Sequence, residues 1–506
     1  MNYAELFRIT LPETVLEVAA LLVLVADLAF LRNAALKARV TAASVLGIAG
    51  CAAALWAMSF AGVQGLRAGG DLLLTTGGAA AAAQAGILVL TAITLLLLIG
   101  ADFTQHAGEY VAVVLMSAAG GLLIAAAQDL LVIFIGLELL SLGLYILTAF
   151  AKKSGRSAEA AMKYYLFGGM SAAFLLFGFS YLYGISGSTN LQTVVHASFL
   201  LSVSGAAPLL WIALVMVAAG LGFKIAAVPF HLWAPDTYEG APAPAAAFIA
   251  SVSKVASFAL LISVSAAVVH VFDAGHVALA VVTTSPLPKY AGMQFPWTLT
   301  LTVLAVASML VGNLAALVQV SVRRLLAYSA VAHAGYILLG LAFFSQSNAS
   351  ADAILYYILT YGLTTIGAFG VISVVERATG SDRMDAFLGL QKRNPLLATV
   401  TLVLFLSLAG IPPLVGFWAK FNLFAAVLEV GAGPVALWLV ALAILMSAVS
   451  LYYYMQLLKR AYVMPATDET PIKAHPVTMA VLLAIAAAVV AMGCLPALLQ
   501  GGIARF

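Results

Sequence analysis

Five ionisable side chains sit in stretches otherwise too apolar to hold a charge: Glu138, Lys224, Lys254, His333 and Lys420. A sixth, His231, stands two residues beyond Pro229. A charged side chain at the centre of a bilayer costs about 2.5–3.5 kcal/mol on insertion scales, so each needs a partner or a task. Glu138 beside a lysine forms a coupled pair whose proton affinity depends on the partner's charge, and Lys224 and Lys254 are the expected partners. A lysine taken out of water can exchange its proton reversibly, and histidines that titrate near neutrality can relay protons between lysines. Ser141 and Tyr145 follow Glu138 at three and seven residues and extend a polar stripe along its helix. In chain order the set describes a horizontal line of protonation switches through the membrane midplane, with water inlets where helices break. The plainer alternatives are a static ion pair at Glu138, snorkelling of Lys420 or Lys254 to the surface, and neutral histidines bonded to backbone. The separation of the histidines and the lack of Cys or Glu companions speak against a metal site.

The elements that must carry these residues are transmembrane helices. The chain is 64 % hydrophobic and 8 % charged, and no water-soluble surface can be made from that composition. Its apolar runs resolve into about fourteen spans: 10–31, 40–61, 77–100, 108–126, 128–150, 161–185, 206–228, 242–270, 297–317, 323–344, 353–375, 395–428, 435–458 and 476–499. The run at 395–428 contains Pro412-Pro413 and is too long for one straight crossing, so it reads as a helix broken inside the membrane. The expected fold is an all-α integral membrane protein. Glu13 and Glu17 interrupt the first run and no basic stretch precedes it, so it reads as a retained span and not a cleaved leader. Cys51 and Cys494 read as isolated buried thiols. No cysteine cluster for iron–sulfur or haem, no nucleotide-binding glycine motif and no basic face for nucleic acid is present in the sequence. The remaining histidines, His106, His196, His270, His276 and His475, fall in loops or at span ends.

Connections after odd-numbered spans hold 16 of the 23 Lys and Arg residues, from Arg32, Lys37 and Arg39 to Lys459, Arg460 and Lys473. The opposite side holds Arg8, Arg67, Lys289 and Arg505. The positive-inside rule then places both termini outside the cytoplasm, in the periplasm of a bacterial inner membrane.

An internal repeat accompanies the charges. Tyr164-Tyr165 and Tyr356-Tyr357 lie 192 residues apart, Lys224 and Lys420 lie 196 apart, and a shift of 195 carries Glu138 onto His333. Two related five-span units, 108–270 and 297–458, follow. An odd number of spans makes them face opposite ways across the membrane, as inverted repeats. The remaining divisions are 1–107, a three-helix segment; 271–296, an extramembrane connection containing Ser285-Pro286-Leu287-Pro288; and 459–506, a loop with the last span. Pro229 ends the Lys224 helix and Pro412-Pro413 precedes Lys420, so both broken helices are expected to line a wet interior.

With these motifs the chain resembles the antiporter-like subunits of the proton-pumping NADH:quinone oxidoreductase, respiratory complex I. The segments that carry the resemblance are Gly136 to Tyr145, Gly222-Phe223-Lys224 through Asp236, Ser251 to Lys254, Arg324-Leu325-Leu326-Ala327-Tyr328-Ser329 through His333, and Gly410 through Phe421. Lysine at 420, and an end after the fourteenth span without a long lateral helix, bring it nearest to the subunit N branch. The resemblance implies that Glu138 is the fifth-helix glutamate, Lys224 the seventh-helix lysine, Lys254 the eighth-helix bridging lysine and Lys420 the twelfth-helix lysine near the exit. It also implies that this chain holds no cofactor, while FMN, iron–sulfur clusters, NADH and quinone belong to partner subunits. Its expected neighbours are adjacent antiporter-like and small membrane subunits, peripheral subunits and membrane lipids, with protons as the transported species. Two other functions fit the same residues: a subunit of a multi-subunit cation/proton antiporter, and a structural membrane scaffold.

Overall fold

The computed structural model describes residues 3–61, 65–68, 71–101, 103–203, 208–282, 296–345, 348–431, 433–466 and 468–503. An N-terminal segment contains α1 (Tyr3–Ile9), α2 (Leu11–Val25), α3 (Leu36–Ala61) and α4 (Gly78–Leu98). α2 runs on through a π-helical turn at Ala26–Phe30. A first series follows: α5 (Ala107–Ala126), α6 (Leu130–Thr148), α7 (Gly155–Ser186), α8 (Leu191–Val203), α9 (Pro208–Ile225), α10 (Trp233–Gly240) and α11 (Ala243–Val282). The second contains α12 (Pro296–Ala316), α13 (Val322–Ala342), α14 (Asn348–Thr379), α15 (Leu390–Arg393), α16 (Pro395–Ala409), α17 (Val415–Val430) and α18 (Pro434–Tyr462). α19 (Pro476–Cys494) and α20 (Ala497–Ile503) close the chain.

Twelve of the described helices are long and apolar enough to cross a membrane. Two further crossings are assembled from shorter pieces: α2 with its π turn, and the pair α16 and α17 on either side of residues 410–414. The protein is therefore a multi-pass membrane protein, and twelve full-length spans with these two broken ones account, among the described residues, for the about fourteen apolar runs of the sequence. Among them α13 is the most enclosed, and residues from Leu325 to Leu341 along it are almost all buried. This central helix carries His333.

Several expectations are revised. α7 starts at Gly155, six residues before the apolar run, because Ser154 caps its first turn through Ser157 N at 3.3 Å. The connection expected at 271–296 begins as helix, since α11 continues to Val282. The Ser285 to Pro288 stretch and Lys289 lie outside the described residues. Cys51 is buried as expected, but Cys494 is exposed where α19 ends. The structure also has a small hairpin, β1 (Gly65–Ala68) with β2 (Asp71–Thr75), absent from the sequence reading. Strands this short carry little periodic signal. The hairpin is held by loops far away in sequence: Gln128 N donates to Leu73 O at 2.8 Å and Asn190 Nδ2 to Leu72 O at 2.9 Å.

Candidate functional site

Both broken helices stop by the same local device. After α9, Ala226 takes a left-handed conformation at φ +57° and Ala227 N reaches back to Gly222 O at 2.8 Å. After α16, Gly410 does so at φ +87° and Ile411 N reaches Leu406 O at 3.1 Å. These are Schellman-type stops, with glycine at the left-handed residue in one and alanine in the other. Each leaves helix-terminal carbonyls without an intrahelical donor in a place where water is scarce.

Lysines supply the donors. Lys254, from α11, donates to Ile225 O at 2.8 Å, the last carbonyl of α9, and to Ala330 O of α13 at 3.1 Å. Lys420, from α17, donates to Ala409 O at 3.0 Å and Leu408 O at 3.3 Å at the end of α16, and to Ser447 Oγ at 2.8 Å. Its ammonium lies 5.5 Å from the centre of the Tyr336 ring. A cation at the carbonyl end of a helix also meets the negative end of the helix dipole. Trp233 Nε1 donates to Phe223 O at 2.8 Å, and Ser308 Oγ accepts from Val228 N at 2.9 Å, so further groups freed at the first break are paired too.

Lys224 behaves differently. It sits in the last turn of α9, donates to Ser141 Oγ, and has its ammonium 3.8 Å from Glu138 Oε1. Glu138 Oε1 has no hydrogen-bond partner, so the pair is a charge contact with Ser141 beside it. The structure thus joins Glu138 to Lys224. It corrects the expectation that Lys254 is a second partner of that carboxylate, because the Lys254 ammonium is turned to the Ile225 and Ala330 carbonyls.

His333 is 4 % exposed and one turn beyond Ala330, the residue whose carbonyl Lys254 grips. Its Nδ1 shares a hydrogen bond with Tyr357 OH at 2.8 Å, and its Nε2 has no partner. Lys254, His333 and Lys420 are therefore strung along α13 and the second break. His231 lies in the first break with its ring 6.2 Å from that of Tyr328 and its Nδ1 unpaired, while the three lysines direct their bonds elsewhere. Tyr357 was legible as half of a repeated Tyr-Tyr pair but not as the partner of His333. Ser447 and Tyr336 carried no sequence signal, since a lone hydroxyl or ring on an apolar span is ordinary.

On the basic face, Asp236 of α10 accepts from Lys163 of α7 at 2.9 Å and from Arg324 of α13 at 2.7 Å. Arg324 also reaches Glu239 at 3.0 Å. Burial opposes ionisation of Asp236, but the two cations more than offset it and hold the carboxyl below the usual carboxylate range. Among the described residues no group of three or more His, Cys, Asp or Glu side chains is arranged to hold a metal ion.

Comparison with known proteins accords with this geometry. The family model described as "NADH:quinone oxidoreductase/Mrp antiporter, TM" matches residues 127–287 and 263–450. The chain is 45 % identical to NADH-quinone oxidoreductase subunit N 2 of Acidobacterium capsulatum, over 99 % of each chain. It is 32 % identical to a chain of respiratory complex I from Thermus thermophilus with bound aureothin, with a TM-score of 0.74 over 97 % of this chain and 98 % of that one. A chain of the Mrp complex from Dietzia sp. DQ12-45-1b shares the fold at 22 % identity, with a TM-score of 0.76 over 99 % and 96 %. The chain belongs to the NADH:quinone oxidoreductase/Mrp antiporter transmembrane family and, within it, to the subunit N group of NADH-quinone oxidoreductases.

Proposed function

We propose that this chain is the proton-translocating membrane subunit of a respiratory NADH:quinone oxidoreductase. It passes protons along Glu138, Lys224, Lys254, His333 and Lys420, with His231 at the first break, while NADH oxidation and quinone reduction proceed in partner subunits. FMN, the iron–sulfur clusters, NADH and quinone are held there, and this chain carries no cofactor of its own. The observation that carries the reading is the Lys224 to Glu138 contact of 3.8 Å. A cation and an anion that close inside a membrane control one another's charge, so a proton arriving at or leaving either one changes the affinity of its neighbour.

The site is placed in a bacterial inner membrane with both termini on the periplasmic face, the side away from the lysine- and arginine-rich connections. The two helix series form inverted units, 108–270 and 297–458. The segments 1–107, 271–296 and 459–506 are their flanking and connecting parts. Glu138 has 26 % of its side chain exposed, in the middle of an α6 stripe of exposed Leu131, Ile135, Leu142 and Ile146. A carboxylate does not face lipid tails at that depth, so this stripe is covered by a neighbouring membrane subunit.

The test is NADH-driven proton uptake and quinone reduction measured in parallel, in membrane vesicles bearing Lys224→Ala or Glu138→Ala in a complex verified as assembled. Pumping is expected to be lost, with a substantial fall in coupled electron transfer. Wild-type levels of both activities would defeat the reading and favour a scaffold. The shared family model supports a second reading, a subunit of a cation/proton antiporter. Sodium–proton exchange by a purified complex without NADH-oxidising activity would select it.

A further inference from the structure

A lysine that passes protons on alternates between two hydrogen-bonding patterns. As an ammonium it has three N–H donors and no acceptor, and as an amine it has two donors and a lone pair that accepts. A backbone carbonyl suits the ammonium but gives nothing to the lone pair, because it only accepts. A hydroxyl suits both forms, since its oxygen accepts and its proton can be turned towards a neighbour. The partners of a buried lysine therefore decide which of its two forms can stand in a dry interior, where an unpaired polar atom is costly.

Two of the buried lysines have such a hydroxyl. Lys420 gives its three protons to Leu408 O at 3.3 Å, Ala409 O at 3.0 Å and Ser447 Oγ at 2.8 Å. Two carbonyls and one hydroxyl are a set that both forms of the nitrogen can use. The amine keeps its two N–H bonds to the carbonyls and takes the Ser447 proton on its lone pair. Tyr336 presents its ring to the same nitrogen, 5.5 Å away, which attracts the cation and offers the amine no donor. Lys224 donates to Ser141 Oγ, and Ser141 donates in turn to Leu137 O, one turn back on α6. Moving that proton from Leu137 O to the Lys224 nitrogen would serve the amine, and the Glu138 carboxylate, 3.8 Å from the ammonium, can take the proton released. Lys254 differs, since its bonds go to the carbonyls of Ile225 and Ala330. Ser447 stands 193 residues after Lys254, within the 192 to 196 spacing of the repeat read in the sequence. At that place one series supplies an ammonium to a helix end, and the other supplies the hydroxyl that receives one.

We infer that Ser141 and Ser447 are proton-exchange residues of the buried line, each reversing its hydroxyl as its lysine loses and regains a proton. This rests on the proton-translocation reading above. At Lys224 an N–H proton passes to the Glu138 carboxylate, which leaves an amine and a neutral carboxyl, and the Ser141 hydroxyl turns from Leu137 O onto the amine nitrogen. At Lys420 the ammonium releases one proton to water, and the Ser447 hydroxyl turns to donate to the nitrogen that had been donating to it. Protonation of either lysine reverses the turn. Each serine keeps its own proton throughout, so the hydroxyl holds the nitrogen in place in both states and carries no charge itself.

The test uses vesicles bearing the complex, verified as assembled for each variant. Ser141→Ala and Ser447→Ala are each expected to slow NADH-driven proton translocation by about tenfold, the loss of one hydrogen bond at the exchanging nitrogen. Ser141→Thr and Ser447→Thr, which keep a hydroxyl, are expected to restore most of that rate. Ser447→Asp separates exchange from polarity alone. Its carboxylate accepts from the ammonium but has no proton to give to the amine, so it is expected to be at least as slow as Ser447→Ala. Ser450→Ala, one turn further along α18, removes a hydroxyl that donates to Ser447 O at 2.6 Å and is expected to translocate normally. Either Ser141→Ala or Ser447→Ala at the wild-type rate, or Ser447→Asp as fast as Ser447→Thr, while Lys224→Ala abolishes translocation, would overturn the hydroxyl role and leave the proton-translocation reading standing. If Lys224→Ala also translocates normally, that reading falls and the hydroxyl role falls with it.

Discussion

The two helix breaks share a backbone and differ in where their lysines stand. Aligned on the left-handed residue, Ala226 matches Gly410, which places Lys224 two residues before its stop and Lys420 ten residues after the other. The carbonyl end of α9 receives its ammonium from another helix, through Lys254, whereas that of α16 receives it from its own continuation, through Lys420. Lys254 and Lys420 therefore do the same local work, and the spacing of 196 residues between Lys224 and Lys420 is not a structural equivalence. Lys224, relieved of a carbonyl to satisfy, is free to face a carboxylate. One break holds a lysine bonded to helix-end carbonyls, and the other adds a lysine that faces a carboxylate.

That difference can be broken at its strongest point by removing each ammonium in turn. Lys254→Met and Lys420→Met strand buried carbonyls and are expected to lower stability by about 1–3 kcal/mol each. Lys224→Met strands no backbone carbonyl and is expected to cost less. Thermal release of this subunit from the assembled complex measures all three. Lys254→Met as stable as Lys224→Met would remove the equivalence of Lys254 and Lys420.

The left-handed residues give a smaller effect of opposite sign. Gly410→Ala puts a side chain at φ +87° and its Cβ 3.0 Å from the Lys420 side chain, for an expected cost of about 1–2 kcal/mol. Ala226→Gly relieves the same conformation, and is expected to be neutral or stabilising by up to about 1 kcal/mol once the extra freedom of the unfolded chain is counted. The same thermal assay reads both, and a destabilised Ala226→Gly variant would separate the two stops.

The smallest expected effect concerns the basic face, where Asp236 ties α10 to α7 and α13. Its carboxyl is held below the usual range, so its contribution is present above about pH 3.9 and lost as pH falls through the depressed folded value. Solvent screening limits it to about 1 kcal/mol or less. The stability difference between the wild type and Asp236→Asn is expected to be constant from about pH 5 to 7 and to shrink below about pH 4. A difference that grows on acidification would show that the tie is not carried by the carboxylate.

Most of the architecture was legible beforehand because a membrane leaves a chain few choices. Apolar length reports a span, and a proline inside a span reports a break. The same economy marked Glu138, Lys224, Lys254, His333 and Lys420, since a charge among apolar residues is conspicuous. The hairpin at 65–75 was not legible, because its order comes from bonds to Gln128 and Asn190 in other loops.

The chain's own order of residues thus settles which segments cross, where they break and which few side chains are ionisable at depth, because those properties depend on local composition and the solvent. Which lysine meets Glu138, which ones grip the broken helices, and that His333 bonds to Tyr357 depend on how helices distant in sequence pack. Nothing in the spacing from 224 to 420 distinguishes an ammonium paired with a carboxylate from one that caps a helix. The distinction is made by a few ångströms of approach between α6, α9, α11, α13, α16 and α17.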